Sequence, residues 1–174
     1  MRAERVLLLA DTHGELDPRI ASLALDVDRV VHAGDVGSAG VLAALAAGGA
    51  AVLAVGGNND VPAKWSADEH ALLRCLTTRI EVDLPGGRLV VVHGDAWPAR
   101  DRHTRLRRAF ADARAVLYGH SHRLVIDTHA SPWVLNPGAA GRVRTHGGPS
   151  CLLLTAAAGD WRIEPRRFPP AGRG

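Results

Sequence analysis

A chain of 174 residues is the length of one domain, and with 47% apolar residues it can bury a core, which excludes a disordered polypeptide. The formal net charge of +3 is modest, and the basic residues are nearly all arginine, Lys64 being the single lysine. Cys75 and Cys151 form neither a disulfide framework nor a zinc pair, and no apolar run approaches the ~20 residues that cross a bilayer. The run MRAERVLLLAD is too short in its apolar part for a secretion signal, so a cytoplasmic location without a membrane partner is expected.

Taken in order, Val6 to Ala10 reads as a buried strand that stops at Asp11-Thr12-His13-Gly14. Asp17 and Pro18 then open a short helix as cap and first residue. A second strand, Arg29 to Ala33, ends at Gly34-Asp35, and Ser38 caps an alanine-rich helix that runs out at Gly48-Gly49. A third strand, Ala51 to Val55, ends in Gly56-Gly57-Asn58-Asn59-Asp60. Strand, loop, helix and strand again is the grammar of parallel βαβ units.

The second half changes character. Arg79 to Leu84 turns through Pro85-Gly86-Gly87 into Leu89 to Val92, a hairpin that ends at His93-Gly94-Asp95. An arginine-rich helix follows, holding Arg100, Arg102, Arg105, Arg107 and Arg108, with Arg114 beyond it. Its simplest reading is a solvated face with Leu106, Ala109, Phe110 and Ala113 turned inward. Nucleic acid is disfavoured as a partner, because no aromatics interleave the arginines to stack bases. The strand Ala115 to Tyr118 ends at Gly119-His120-Ser121-His122, and extended pieces follow around Leu124–Thr128, Trp133–Leu135, Cys151–Thr155 and Trp161–Glu164. Residues 1–168 are expected to form a single domain and 169–174 a loose C-terminal tail. The expected class is α/β: two sheets packed together with helices outside them.

Seven donors thus sit at strand ends: Asp11, His13, Asp35, Asn58, His93, His120 and His122. Ligand and catalytic groups of α/β proteins collect at such ends. Carboxylates, imidazoles and one amide, with no thiolate, suit divalent transition metals, and the set is too large for one ion. Asp35 is the natural bridge, because a carboxylate can neutralise two cations at once. Two ions roughly 3.5–4 Å apart can clamp a phosphoryl group and supply hydroxide near neutral pH. Hydrolysis of a phosphoester by a metal-bridging hydroxide is therefore the expected reaction, with Asp35, Asn58 and His93 acting catalytically through that hydroxide and no protein nucleophile.

The set D-x-H, G-D, G-N-x-D, H-G and G-H-x-H resembles the calcineurin-like metallophosphoesterase family, in the GNND form of its small prokaryotic phosphodiesterase branch, over roughly residues 5 to 165. The resemblance implies a four-layer αββα sandwich, two mixed β-sheets flanked by helices. It implies one ion on Asp11, His13, Asp35 and His122, and a second on Asp35, Asn58, His93 and His120. Manganese is favoured, with iron, zinc or nickel as alternatives. Asn136-Pro137-Gly138 fits a further turn of that branch, which supports the rim of the site.

Two positions depart from the family pattern. Asn59 stands where many members carry a histidine that protonates the leaving group, and Asp95 stands where HGH is frequent. With the complete ligand set, Asn59 argues for a small phosphodiester substrate, nucleotide-like or generic, over a monoester. Asp95 is expected to orient His93, and Asp60 to orient Asn58 or a ligand histidine. His32 is expected to pack beside the sheet, and His70, His103 and His146 to lie on the surface or in loops, while Arg142 and Arg144 read as solvated. A pocket near Trp65 or Trp97 could stack a base, and both tryptophans are equally credible as buried or oligomer-contact residues. The alternatives are a phosphomonoesterase or nucleotidase, and a protein-binding scaffold of the same fold; a homodimer is compatible with each.

Overall fold

The computed structural model describes residues 2–170. In chain order the elements are β1 (Glu4–Leu9), α1 (Pro18–Leu23), β2 (Arg29–His32), α2 (Ala39–Ala46), β3 (Ala51–Ala54), α3 (His70–Leu73), β4 (Arg79–Leu84), β5 (Gly87–Val92), α4 (Arg102–Ala109), β6 (Ala115–Leu117), β7 (Leu124–Asp127), β8 (Trp133–Pro137), β9 (Ser150–Ala156) and β10 (Trp161–Arg167). They build two five-stranded sheets, ordered β10-β9-β1-β2-β3 and β4-β5-β6-β8-β7. Both are mixed. β1, β2 and β3 run parallel in the first, as do β5, β6 and β8 in the second, with antiparallel strands at the remaining pairings.

Alternation along the strands explains the layering. Val6 and Leu8 of β1 join a core between the sheets with Val31, Val91, Leu117, Leu135 and Leu154. Leu7 and Leu9 point the other way, into a core with Ile20 of α1 and Val41 and Leu45 of α2. A third core beneath α4 holds Val90, Val92, Leu106, Val116 and Val134. Strands with apolar side chains on both faces must be covered on both faces, which gives the helix–sheet–sheet–helix sandwich.

Local details refine the expectations. Asp17 caps α1 through the Arg19 backbone N–H at 2.9 Å, with Pro18 at the first position. The Ser38 side chain makes no capping bond to α2; instead the Ala39 N–H donates to Glu69 Oε1 at 2.8 Å, a cap supplied from 30 residues away. Leu106 and Ala113 are buried and Phe110 half-buried, but Ala109, the last residue of α4, is exposed. His103 is no free surface group: its ring bonds Asp127 Oδ2 at 2.8 Å and the Tyr118 hydroxyl at 3.0 Å. His70 lies in α3 and bonds the Pro62 carbonyl at 3.0 Å. Pro165 sits within β10, an edge strand, where its missing N–H costs no ladder bond. Of the expected tail, Pro169 accepts a hydrogen bond from Arg19 at 2.9 Å, and residues 171–174 lie outside the described part. No helix among the described residues is long and apolar enough to cross a membrane.

Candidate metal centre

The parallel strands of the two sheets end on one side of the sandwich. Loops after β1, β2, β3, β5 and β6 carry all seven donors there. The loops are stitched together by their backbones: the Asp11 N–H donates to Gly34 O at 3.0 Å, His13 to Asp35 O at 2.9 Å, and Gly119 to His93 O at 2.9 Å. Asp11, His13, Asp35, His120 and His122 all have positive φ, from 49° to 64°. Left-handed backbone is rare outside glycine and costs about 1–2 kcal/mol per residue, so five strained donors in one place mark a site held by its surroundings. Gly57 is required by close approach, since a Cβ there would lie 2.2 Å from Asp35 Oδ1.

The donors converge. Asp11, His13 and His122 form one triad, and Asp11, Asp35 and His93 another, each with ligand atoms within 4.8 Å of one another. Asp11 is shared by both triads. Asp35 Oδ2 also lies between the halves, 3.8 Å from His13 Nε2 and 3.4 Å from His93 Nε2. His13 and His122 bring their Nε2 atoms within 3.1 Å. Asn58 Oδ1 stands 3.1 Å from His93 Nε2 and 3.0 Å from His120 Nδ1.

Two histidines are oriented from behind. His93 places Nδ1 on the Ala33 carbonyl, and His122 places Nδ1 on the Val143 carbonyl, each at 2.9 Å, so both turn Nε2 inward. Ala33, not Asp95, therefore orients His93; Asp95 is exposed. Burial lowers His13 and His120 below the usual histidine range and brings His122 to about 4, leaving these rings neutral with a lone pair to offer. Burial also pushes Asp11 up to about 8, against the pull of the His93 charge. Burial works to lower His93, but its hydrogen bond and attraction to Asp35 prevail and raise it to about 9. For Asp35, burial acts upward and is outweighed by His93 and by Asn59, which hold the carboxyl well below the usual range.

Whether a cation suits this cluster can be judged from Asp11. Its side chain is fully buried, and Oδ2 has no hydrogen-bond partner. A buried carboxylate oxygen without a donor is costly unless a positive charge faces it. Oxygen and imidazole donors around it are the ligands divalent transition metals take, so the residues fit metal ions.

Supporting residues make up a second layer whose partners differ from those expected. Asp60 binds neither Asn58 nor a histidine. Its carboxylate accepts from the backbone N–H groups of Val36 at 3.1 Å, Gly37 at 2.9 Å and Gly57 at 2.8 Å, and from Trp65 Nε1 at 3.1 Å. It ties the Asp35 loop to the Asn58 loop. Asn59 donates to Asp35 through its backbone at 2.8 Å and its side chain at 2.7 Å, and accepts from Lys64. His32 is fully buried, as expected for a packed residue. Thr12 Oγ1 donates to Val36 O at 2.8 Å, so it accepts from His32 Nε2–H, while His32 Nδ1 accepts from the Gly34 N–H. That makes His32 the neutral Nε2–H tautomer, in keeping with burial lowering it to about 3. Asn136 is fully buried beneath the GHSH loop, donating to Gly119 O at 2.8 Å and Ser121 Oγ at 3.1 Å. Arg142 and Arg144 are exposed, although the Arg144 charge is felt at Asp11, His13 and His122.

Solved structures of other proteins share this fold. Vacuolar Protein Sorting 29 from Cryptosporidium parvum superposes with a TM-score of 0.74 at 19% identity, covering 96% of this chain and 98% of that one. An archaeal phosphodiesterase gives 0.71 at 21% identity, covering 93% and 99%. Wild-type Vps29 complexed with zinc, from Entamoeba histolytica, gives 0.67 at 17% identity, covering 94% and 98%. At these identities the likeness is one of fold. Among curated proteins none matches the sequence. The profile of the calcineurin-like phosphoesterase superfamily domain matches residues 5–159, and the chain belongs to that superfamily.

Proposed function

We propose that the protein is a dinuclear metal-dependent phosphoesterase that prefers phosphodiesters. The orphaned Asp11 Oδ2, fully buried among imidazole and carboxylate donors, is the observation that carries this reading. Asp11, His13, Asp35 and His122 would hold one ion, and Asp35, Asn58, His93 and His120 the other. Such ions supply polarisation of the phosphoryl oxygens and a bound water acidic enough to deprotonate near neutral pH.

The chain's own residues constrain the reaction. Of the hydroxyls beside the cluster, Thr12 donates its proton to Val36 O at 2.8 Å and is held by structure, while Ser121 accepts from Asn136. The ligand set itself favours direct displacement by water. Asn59 points its amide at Asp35 and cannot shuttle a proton to a leaving alcohol. Diesters with good leaving groups tolerate that best. Asp35, Asn58 and His93 would act through the ions they would hold, and manganese is the first choice of metal.

The test is hydrolysis of bis-p-nitrophenyl phosphate against p-nitrophenyl phosphate, with metal-stripped protein and manganese restored. Manganese-dependent turnover favouring the diester, abolished by Asp35→Asn, is the expected result. Preference for the monoester would replace this reading with a phosphomonoesterase. The Vps29 likenesses favour a second reading, a protein-binding scaffold. Large exposed apolar side chains among the described residues are Leu25, Val61, Leu72 and Val143. Absence of turnover on either ester despite bound manganese, with the biological role surviving Asp35→Asn, would establish the scaffold.

A further inference from the structure

A cleft of about 610 Å³ opens beside Asn58 and His93. Its walls come from four segments: Gly56 to Asn58 after β3, Thr78 and Arg79 entering β4, Val92 to Trp97 at the end of β5, and Phe110 after α4. The segment before β4 is fastened in place, since the Gly56 N–H donates to Thr77 O at 2.8 Å and Val55 pairs with Thr77. Trp97 and Phe110 stand 5.9 Å apart between ring centroids, and the Arg79 guanidinium lies 5.9 Å over the Phe110 ring. Both rings pack from behind against the core under α4, yet each stays half-buried, with surface left to the cleft. Trp65, the other candidate for stacking, is 5% exposed and spends its N–H on Asp60.

We propose that this cleft takes the esterifying group of the substrate, that the group is planar and aromatic, a nucleobase being its natural form, and that Trp97 and Phe110 determine specificity. The inference rests on the phosphoesterase reading for the position of the phosphate, at Asn58 and His93. Volume and composition suit a small molecule, with an aromatic wall and a few polar groups to fix orientation. The charged side chains besides His93 are Arg79 and Asp95, of opposite sign, and Arg79 is also paired with Glu81 at 3.2 Å. Beyond His93 the Arg79 and Asp95 charges offset each other, so a polyphosphate tail reaching into the cleft would find no added positive field, and an alkyl group would leave the rings unstacked. A base lying on Trp97, held from behind, loses little entropy in ordering the wall.

The test is isothermal calorimetry of manganese-loaded protein with adenosine 5′-monophosphate, ribose 5-phosphate and inorganic phosphate. The base should tighten binding about tenfold over ribose 5-phosphate, the size of one stacking contact. Trp97→Ala should erase that difference by bringing adenosine 5′-monophosphate down to the affinity of ribose 5-phosphate, Phe110→Ala should reduce it, and Trp97→Phe should retain it. Equal affinity for the two sugar phosphates in the wild type, or a base preference that survives Trp97→Ala, would overturn the proposal. Turnover of bis-p-nitrophenyl phosphate, measured separately, keeps the two readings apart. Base-dependent binding without turnover sinks the activity and leaves the cleft; turnover without base preference does the reverse.

Discussion

Replacing Asp60 with alanine should unfold the protein more readily by about 3 kcal/mol, although Asp60 touches none of the seven donors. The magnitude comes from the four groups that donate to its carboxylate. The Val36 N–H and the Trp65 indole are buried, so losing their acceptor leaves each unpaired, at about 1–3 kcal/mol apiece. Gly37 and Gly57 are half-buried and can recruit water, which reduces their share to a few tenths each. For a domain of this size about 3 kcal/mol lowers Tm by roughly 6–12 °C. Asp60→Asn is the sharper probe. An amide offers one acceptor oxygen and two donors, so facing four donors it should cost nearly as much as alanine. Denaturant melts read by tryptophan fluorescence measure the stability, and calorimetric titration with manganese measures the ions. Because Asp60 holds the Asp35 loop to the Asn58 loop, metal affinity should also fall about 10–100-fold. An Asp60→Asn protein within about 1 kcal/mol of wild type, binding manganese normally, would refute this account of the second layer.

Asn136→Ala should cost about 2–4 kcal/mol in a denaturant melt, since it strands both the buried Gly119 carbonyl beneath the GHSH loop and the Gly138 N–H, and should lower metal affinity with it. Gly37→Ala should be still harder to fold, because its Cβ would stand 2.2 Å from Gly14 N at a φ of +86°; normal expression and melting would contradict that packing. Metal-stripped protein should be most stable near pH 6.5. Above that, folded Asp11 (about 8) and His93 (about 9) keep protons that the unfolded chain has released, so stability falls as pH rises, with a slope approaching about two protons. Below it, His32 (about 3) and His122 (about 4) stay neutral when folded and gain protons on unfolding, which outweighs Asp11 and lowers stability toward acid. Melts at about pH 5, 6.5 and 8.5 check the sign; a monotonic rise to the alkaline end would sink it. Manganese binding near neutrality should release the Asp11 and His93 protons, read by calorimetry in buffers of different ionisation enthalpy.

What local sequence determined here is the list of donors and the layer order. Apolar runs that break off at Asp11, Asp35, His93 and His120 announce strand ends because burial and polarity are properties of single side chains at fixed spacing. Only the tertiary structure decided how the donors are held. The left-handed backbone of Asp11, His13, Asp35, His120 and His122 suits the residue types that enter it, but Asp and His stand at many positions of the chain, and which of them adopt it is not written in the local sequence. The Ala33 carbonyl that orients His93 lies 60 positions away, so the adjacent Asp95 drew the assignment that distant backbone in fact fulfils. Asp60 was legible as a second-layer residue, but its partners were not, because three of its four donors come from backbone that carries no side-chain identity. Trp65 and Trp97 were equivalent on paper. The turn of chain that closes one over Asp60 and leaves the other on the cleft wall is set by contacts between segments far apart in sequence, and that is where a sequence read residue by residue stops.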